Sequence, residues 1–355
     1  MIEMQHDTLI FTFPKVHPKA RLKVTFNRTL RIPDDGQSWP LPPGLGKFPL
    51  RHVDDYKEQV PASWLEHGGV MMPMYQAEAT WLSFDSDFLD DHGSDWPFVI
   101  KIATGKRSAI TGDAWVPGLS RDPQNYLIVP DQPWLDGYVV EKGFIRQFVA
   151  MPLGKGYTAE EQFTGSADVG GLQIEVRPMK RDAFMGRWPK VDRKTRSGFP
   201  FGELFVDSGV QCCCILEPMG LAPGGRMRQE VYEDPYNLED WDSEESSRCF
   251  VHIANSVTWK EITGANPPTE MPTAKTYSDM GLPWFEYYDA DAKALEGSNT
   301  LSAMKSVAQV ASEKGDTSAG DGGGVTQMVT RLLAKKGKRR KVRCLLYTSP
   351  SPRDS

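Results

Sequence analysis

The chain is poor in cysteine, in long apolar runs and in the short motifs of familiar chemistry. Five Cys in 355 residues are too few to staple a fold with a disulfide framework. Three of them, Cys212, Cys213 and Cys214, are adjacent, which suits a reducing compartment. No stretch reaches the roughly 18 to 20 consecutive apolar residues of a membrane-spanning helix. The opening MIEMQHDTLIFTFPK has no basic stretch followed by an apolar one, so it reads as no signal peptide. These absences set the expectation of a soluble cytoplasmic protein with no membrane partner.

Catalytic signatures are missing too. There is no Walker-type phosphate loop, no dinucleotide-binding glycine fingerprint and no nucleophile elbow. The paired CxxC knuckles of a structural zinc site are absent. Cys212 and Cys214 would share one face of a strand and Cys213 the other. Cys249 and His252 are three apart and would fall on opposite strand faces. The reading is therefore no metal and no cofactor, with small buried thiols in strands.

Aromatics, glycine and proline are plentiful. Ten Trp, eleven Tyr and sixteen Phe exclude a chain disordered throughout. Twenty-seven Pro and thirty-two Gly imply many turns between short elements. The runs Thr8–Phe13, Arg21–Phe26, Gln76–Phe84, Asn125–Val129, Gly143–Met151, Val206–Leu216, Arg226–Tyr232 and Cys249–Ile253 read as strands. Phe98–Ala103 and Lys106–Ile110 flank a Thr-Gly turn and read as a hairpin. Leu172, Ile174 and Val176 alternate with Gln173, Glu175 and Arg177, the period of a half-buried strand. Thr158 followed by Glu161 is a capping box that starts a short helix. Further helices are predicted near Asp54–Gln59, Ser256–Ile262, Ala274–Met280 and Thr300–Glu313. In the last, Leu301, Met304, Ala308 and Ala311 share a side.

The fold class that follows is mainly β with short helices, an α+β protein. Its core would be an antiparallel β-sandwich or a distorted barrel, in one body or in two lobes. The expected organisation is a β-rich lobe at 1–177, a basic insertion or linker at 178–204 and a second β-rich lobe with short helices at 205–295. A weakly amphipathic helix at 296–314 and a disordered basic tail at 315–355 complete it. The tail holds KKGKRRKVR, Lys335–Arg343. Without its seven positive charges the net charge of the chain falls from -6 to -13. An acidic body repels nucleic acid unless a local patch counters it, so nucleic-acid association is read only through Lys335–Arg343. In a eukaryote the same run would allow a nuclear location. The terminal LLYTSPSPRDS resembles translated adapter or vector sequence and is set apart from the fold.

Several segments resemble, as a set, a widespread family of uncharacterised conserved proteins. They are RTLRIPDD with GQSWPLPPGLG at 28–46, DQPWLDG at 131–137, GFIRQFVAMPLGKGYTAEEQ at 143–162, GLAPGGRM at 220–227, EDPY at 233–236, CFVHIANS at 249–256 and GLPWFEYYD at 281–289. The resemblance spans about residues 28–290. It brings no activity, cofactor or catalytic residue with it.

Candidate site residues therefore rest on chemistry alone. In DQPWLDG, Asp131 and Asp136 flank Trp134. The loop reads either as two carboxylates beside an aromatic platform or as a Pro-shaped turn with Trp134 in the core. Arg146 lies in an apolar strand and needs either a carboxylate partner or a cleft. Lys155 sits in a Gly-rich loop before the capped helix, where an anion could bind, although Glu161 competes for the same helix end. Trp284 in the WFEYY run is either packed or a stacking surface. The leading functional reading is a non-catalytic ligand- or protein-binding module, with Trp134, Arg146, Lys155 and Trp284 as ligand contacts. The alternative is an enzyme, a hydrolase by type, whose acidic and arginine-bearing cleft is built from Asp131, Asp136, Arg146 and Glu161.

Overall fold

The computed structural model describes residues 1–166, 169–190, 218–270, 284–288, 292–317 and 329–333. The chain opens with an antiparallel meander of β1 (Ile2–Gln5), β2 (Thr8–Thr12) and β3 (Arg21–Thr29). In β3 Leu22, Val24 and Phe26 are buried while Lys23 and Thr25 are partly exposed. That alternation follows from the two-residue period of a strand with one face on the core. Short strands β4 (Ser38–Trp39), β5 (Gly44–Lys47) and β6 (Arg51–His52) follow. A single 3-10 turn over Val53–Tyr56 stands where the acidic run predicts a helix at Asp54–Gln59. Helix α1 (Ala62–His67), which has no capping side chain to announce it, leads to β7 (Val70–Pro73) and β8 (Ala79–Ser86).

A small hairpin of β9 (Phe88–Leu89) and β10 (Ser94–Asp95) precedes β11 (Phe98–Thr104), β12 (Arg107–Ser108) and β13 (Leu127–Val129). Then come β14 (Trp134–Leu135), β15 (Gly137–Glu141) and β16 (Phe144–Pro152). Helix α2 (Ala159–Thr164) starts at the Thr158–Glu161 capping box. It is followed by β17 (Leu172–Pro178), α3 (Arg181–Arg187), β18 (Pro218–Arg228), β19 (Ser247–Ala254) and α4 (Ser256–Thr263). β20 (Trp284–Tyr288) and β21 (Val329–Leu333) pair in parallel as a separate two-stranded sheet. Helices α5 (Asn299–Ser302) and α6 (Val307–Lys314) lie between them in sequence.

Seventeen strands are hydrogen-bonded into one largely antiparallel sheet that does not close into a barrel. β17 lies between β11 and β19. Neighbours on both sides and cover on both faces bury even Gln173 and Glu175, so the polar half of its alternation does not face water. β16 pairs with β15, β18 and β8, and β8 pairs along its whole length with β3. Strands from residues 218–254 thus pair directly with strands that precede residue 178.

β18 runs through PMGLAPGGRMR, a sequence whose Pro and Gly argue against a strand interior. The sequence places the strand later, at Arg226–Tyr232. The structure resolves the conflict by a register shift against β16 between Arg146 and Phe148. Gly225 is needed there because a Cβ would overlap the Pro33 carbonyl.

The largest apolar cluster fills the sheet interior with Phe11, Phe26, Phe84, Trp96, Phe98, Tyr126, Tyr138 and Phe148. A second cluster seats Val307, Val310 and Ala311 of α6 on Ala79, Val149, Met151 and Ala222. A third holds α1 and α4 through Trp64, Trp259 and Ile262. Where the apolar spacing predicts one helix over Thr300–Glu313, two form. Ser306 caps α6 by accepting from Gln309 N, and Gln309 caps back, which breaks the run.

The start of the expected insertion at 178–204 is also ordered into the body. β17 ends at Pro178, and α3 buries Phe184 against Trp96, ring centroids 4.2 Å apart. The rest of that stretch, the strand at Val206–Leu216 with Cys212, Cys213 and Cys214, the helix at Ala274–Met280 and the tail Lys335–Arg343 lie outside the described residues. Among the described residues, no helix is long and apolar enough to cross a membrane.

Candidate functional site

A half-open cleft of about 520 Å³ is built from four stretches that are distant in sequence. They are the 110–124 loop, Val139 on β15, the Glu233–Asp234 pair and the 295–300 stretch that enters α5. The volume is that of a small-molecule site. Ile110, Val139 and Leu295 supply its apolar surface.

Ser298 ties three walls together. Its N–H donates to Val139 O at 3.1 Å, its hydroxyl donates to Thr111 O at 2.6 Å, and the same oxygen accepts from Leu301 N at 3.2 Å. The last bond caps α5. The 110–124 loop is long, yet it is held from inside. Lys101, buried on β11, donates from Nζ to Val116 O at 2.6 Å and to Gly118 O at 2.7 Å, with the ammonium 4.4 Å from the Trp115 ring centroid. Burial pushes the Lys101 pKa down, the usual effect of low polarity on a cation.

Asp234 forms the polar floor. It is buried, and its Oδ2 accepts from Tyr126 Oη at 2.6 Å and from Trp241 Nε1 at 2.8 Å. Oδ1 accepts from Tyr236 N at 2.8 Å. Burial first, then the bond to Asp234, raises the Tyr126 pKa and keeps the phenol a donor. Gln124 accepts from Asp234 N at 2.8 Å and donates to Tyr126 O at 2.8 Å. Arg121 donates to the carbonyls of Tyr236 and Asp234. Side-chain amides and a guanidinium thus satisfy an extended segment that has few ladder partners of its own.

The rim is acidic. Asp113, Asp122, Glu233 and Glu296 line the cleft with Arg121 as the cationic lining side chain. Glu233 pairs with Lys293 at 2.7 Å and Glu296 with Lys142 at 2.6 Å. Lys142 lowers the Glu296 pKa through its hydrogen bond and its charge. Asp113 and Asp122 are exposed and form no ion pair among the described residues.

The residues singled out from sequence lie elsewhere, and each has its own surroundings. Asp136 is buried with Gln229, whose Nε2 donates to its Oδ2 at 2.9 Å. Arg146 pairs with Asp34 at 3.7 Å and donates to Gly224 O at 3.3 Å. Glu161 accepts from Gly156 N, Thr158 N and Thr158 Oγ1 at 2.7, 3.1 and 2.7 Å. It is spent on its own turn.

Trp134 is buried on β14 opposite Ser83. Asp131 is partly exposed in the turn before it. Lys155 is exposed, and its carbonyl accepts from Lys314 Nζ. Trp284 lies on β20, with its side chain outside the described residues. Of these candidates, none whose side chain is described lines the cleft.

Cys249 is a free buried thiol whose pKa is pushed up to about 12 by burial. His252, buried and stacked on Trp64 at 4.7 Å, has its pKa pushed down to about 4 by burial. No cluster of three His, Cys, Asp or Glu residues with metal-ligand geometry occurs among the described residues.

Sequence reasoning missed Arg121, Gln124 and Asp234. The one available signal was EDPY at 233–236, which contains Asp234. No protein-family model, no curated protein and no solved structure matches the chain.

Proposed function

We propose that the protein is a non-catalytic binding module of the cytoplasm, and that the Asp234 cleft receives a small ligand carrying a positive charge and an apolar part. The observation that carries this reading is the division of labour inside the cleft. The floor side chains are committed to structure, since both Asp234 oxygens and the Arg121 guanidinium hold protein groups. Asp113 and Asp122 remain at the rim as carboxylates that pair with no cation of the described chain. A ligand amine or guanidinium would meet them, and its apolar part would lie on Ile110, Val139 and Leu295.

Isothermal titration with agmatine and with the uncharged analogue butylurea tests the reading. Agmatine saturates the protein and butylurea does not. In the double variant Asp113→Asn with Asp122→Asn, agmatine binding falls by about tenfold, the scale of two exposed charge contacts of up to about 1 kcal/mol each. Equal affinity for both compounds, or unchanged agmatine binding in the double variant, contradicts it.

A further inference from the structure

A second surface, lined by none of the cleft residues, sets cations around stacked aromatic rings. Phe184 of α3 stacks on Trp96 with centroids 4.2 Å apart, and Trp96 stacks on His17 at 4.9 Å. This ladder brings the turn between β2 and β3, which carries Lys19, against the α3 region, which carries Arg181 and Lys190. The three cations are close enough that each, with His92, adds to the lowering of the His17 pKa that burial begins.

All three are exposed, and none enters an ion pair among the described residues. Their neighbours differ in this respect. Lys15 is paired with Glu245 at 2.9 Å and Arg187 with Asp240 at 2.6 Å. The acidic 239–245 stretch therefore pairs the cations at one margin of the surface and leaves Lys19, Arg181 and Lys190 outside those pairs.

Rings are interleaved with these charges. His17 is half-buried, with one face on Trp96. Trp188, also half-buried, closes α3 and leans on Phe184 at 5.1 Å and on Tyr236 at 6.1 Å. Cations that follow a backbone and flat rings that take bases are the two components of sequence-tolerant single-strand binding. An acidic peptide would use the cations but gain little from the rings.

We propose that this surface binds single-stranded nucleic acid, with Lys19, Arg181 and Lys190 on phosphates and the rings of His17 and Trp188 against bases. The chain as a whole carries -6, so attraction is local and steeply dependent on salt.

Fluorescence anisotropy of a labelled oligouridylate with the full chain in low salt tests the proposal. Three variants are compared: the triple reversal Lys19→Glu, Arg181→Glu, Lys190→Glu; His17→Ala; and a chain with every Lys and Arg of 335–343 changed to Ser. The triple reversal weakens binding at least tenfold. It also reduces the slope of log affinity against log salt by about 2, from about 0.7 for each of three phosphates. His17→Ala weakens binding several-fold with the salt slope unchanged, and the tail variant keeps the sensitivity to triple reversal. The substituted cations are exposed, so an unchanged melting temperature shows that the triple variant is folded. Three results overturn the proposal: no binding by the wild type in low salt, unchanged affinity in the triple variant, or equal affinity for a polyglutamate chain of the same length. The last would make the surface a site for acidic peptides.

Discussion

Asp136 and Gln229 form a reciprocal buried pair. Gln229 Nε2 donates to Asp136 Oδ2 at 2.9 Å, and Asp136 N donates to Gln229 Oε1 at 3.0 Å. A carboxamide is neutral, so it compensates only part of the cost of burying a carboxylate. Burial pushes the Asp136 pKa up to about 7, against the small opposing effect of the Gln229 bond.

This pair makes stability fall as pH rises. The folded state holds a proton that the unfolded chain releases near the ordinary carboxylate value of 3.8. Between that value and about 7 the folded state binds more protons, so unfolding becomes easier with each step in pH. The contribution of the neutral carboxyl is whole below the unfolded pKa and gone above the folded one. Asp136→Asn keeps an acceptor for Gln229 and removes the titration. Thermal melts across this range show the variant gaining on the wild type, to a few kcal/mol above neutrality. A constant difference at every pH contradicts the assignment.

Arg28 and Glu78 form a buried ion pair, in which burial raises the Glu78 pKa against the opposing charge of Arg28. Arg28 Nε and Nη2 donate to Glu78 Oε1 at 3.0 and 2.8 Å, and Glu78 Oε2 accepts from Tyr75 N at 3.0 Å. Arg28→Met strands a carboxylate in the sheet and costs about 3 to 5 kcal/mol. Arg28→Met with Glu78→Leu costs less than the single change. Urea unfolding of both variants checks the order; additive losses contradict it.

Tyr126→Phe removes one of two donors to Asp234 Oδ2 and leaves the other, Trp241 Nε1, in place. The cost is about 1 to 3 kcal/mol for a buried acceptor that loses a partner. Trp241 fluorescence shifts in the folded state, because its indole N–H shares the same oxygen. An unchanged unfolding midpoint would sink the claim that Asp234 organises the cleft floor.

Lys101→Met keeps the buried stem and removes the donor to Val116 O and Gly118 O. Charged hydrogen bonds of this kind contribute about 1.5 to 3 kcal/mol each at most. The first effect is local. Hydrogen exchange rises across residues 110–124 while β11 and β17 stay protected, and agmatine binding at the cleft weakens with it. Uniform exchange changes along the chain would contradict a local clamp.

What was legible in the sequence was local. The capping box at Thr158 and Glu161 is written in two residues three apart, and both bonds form. The alternation of Leu172, Ile174 and Val176 announces β17, and the Thr-Gly turn announces the β11–β12 hairpin. β18 was hidden because Gly and Pro argue for a turn, whereas here they allow Pro33 to approach the strand. Ser306 divides a helix that apolar spacing alone joins.

The candidate site was not legible for a different reason. Asp136, Arg146 and Glu161 carry the right chemistry, but a side chain's availability depends on what it meets. Gln229 and Asp34 meet Asp136 and Arg146 across separations that no local pattern encodes, while Glu161 is consumed by the cap of its own helix. Gln124 and Asp234, 110 residues apart, become partners only when the 110–124 loop closes against the segment after β18.

The sequence by itself determined the mainly β class, strands such as β17 and the Thr158–Glu161 cap, because those depend on period, propensity and neighbouring side chains. Only the tertiary structure decided which polar groups are consumed and which stay open. Burial fixes whether a carboxylate such as Asp234 is spent inside, or whether one such as Asp113 remains at a rim to meet a ligand.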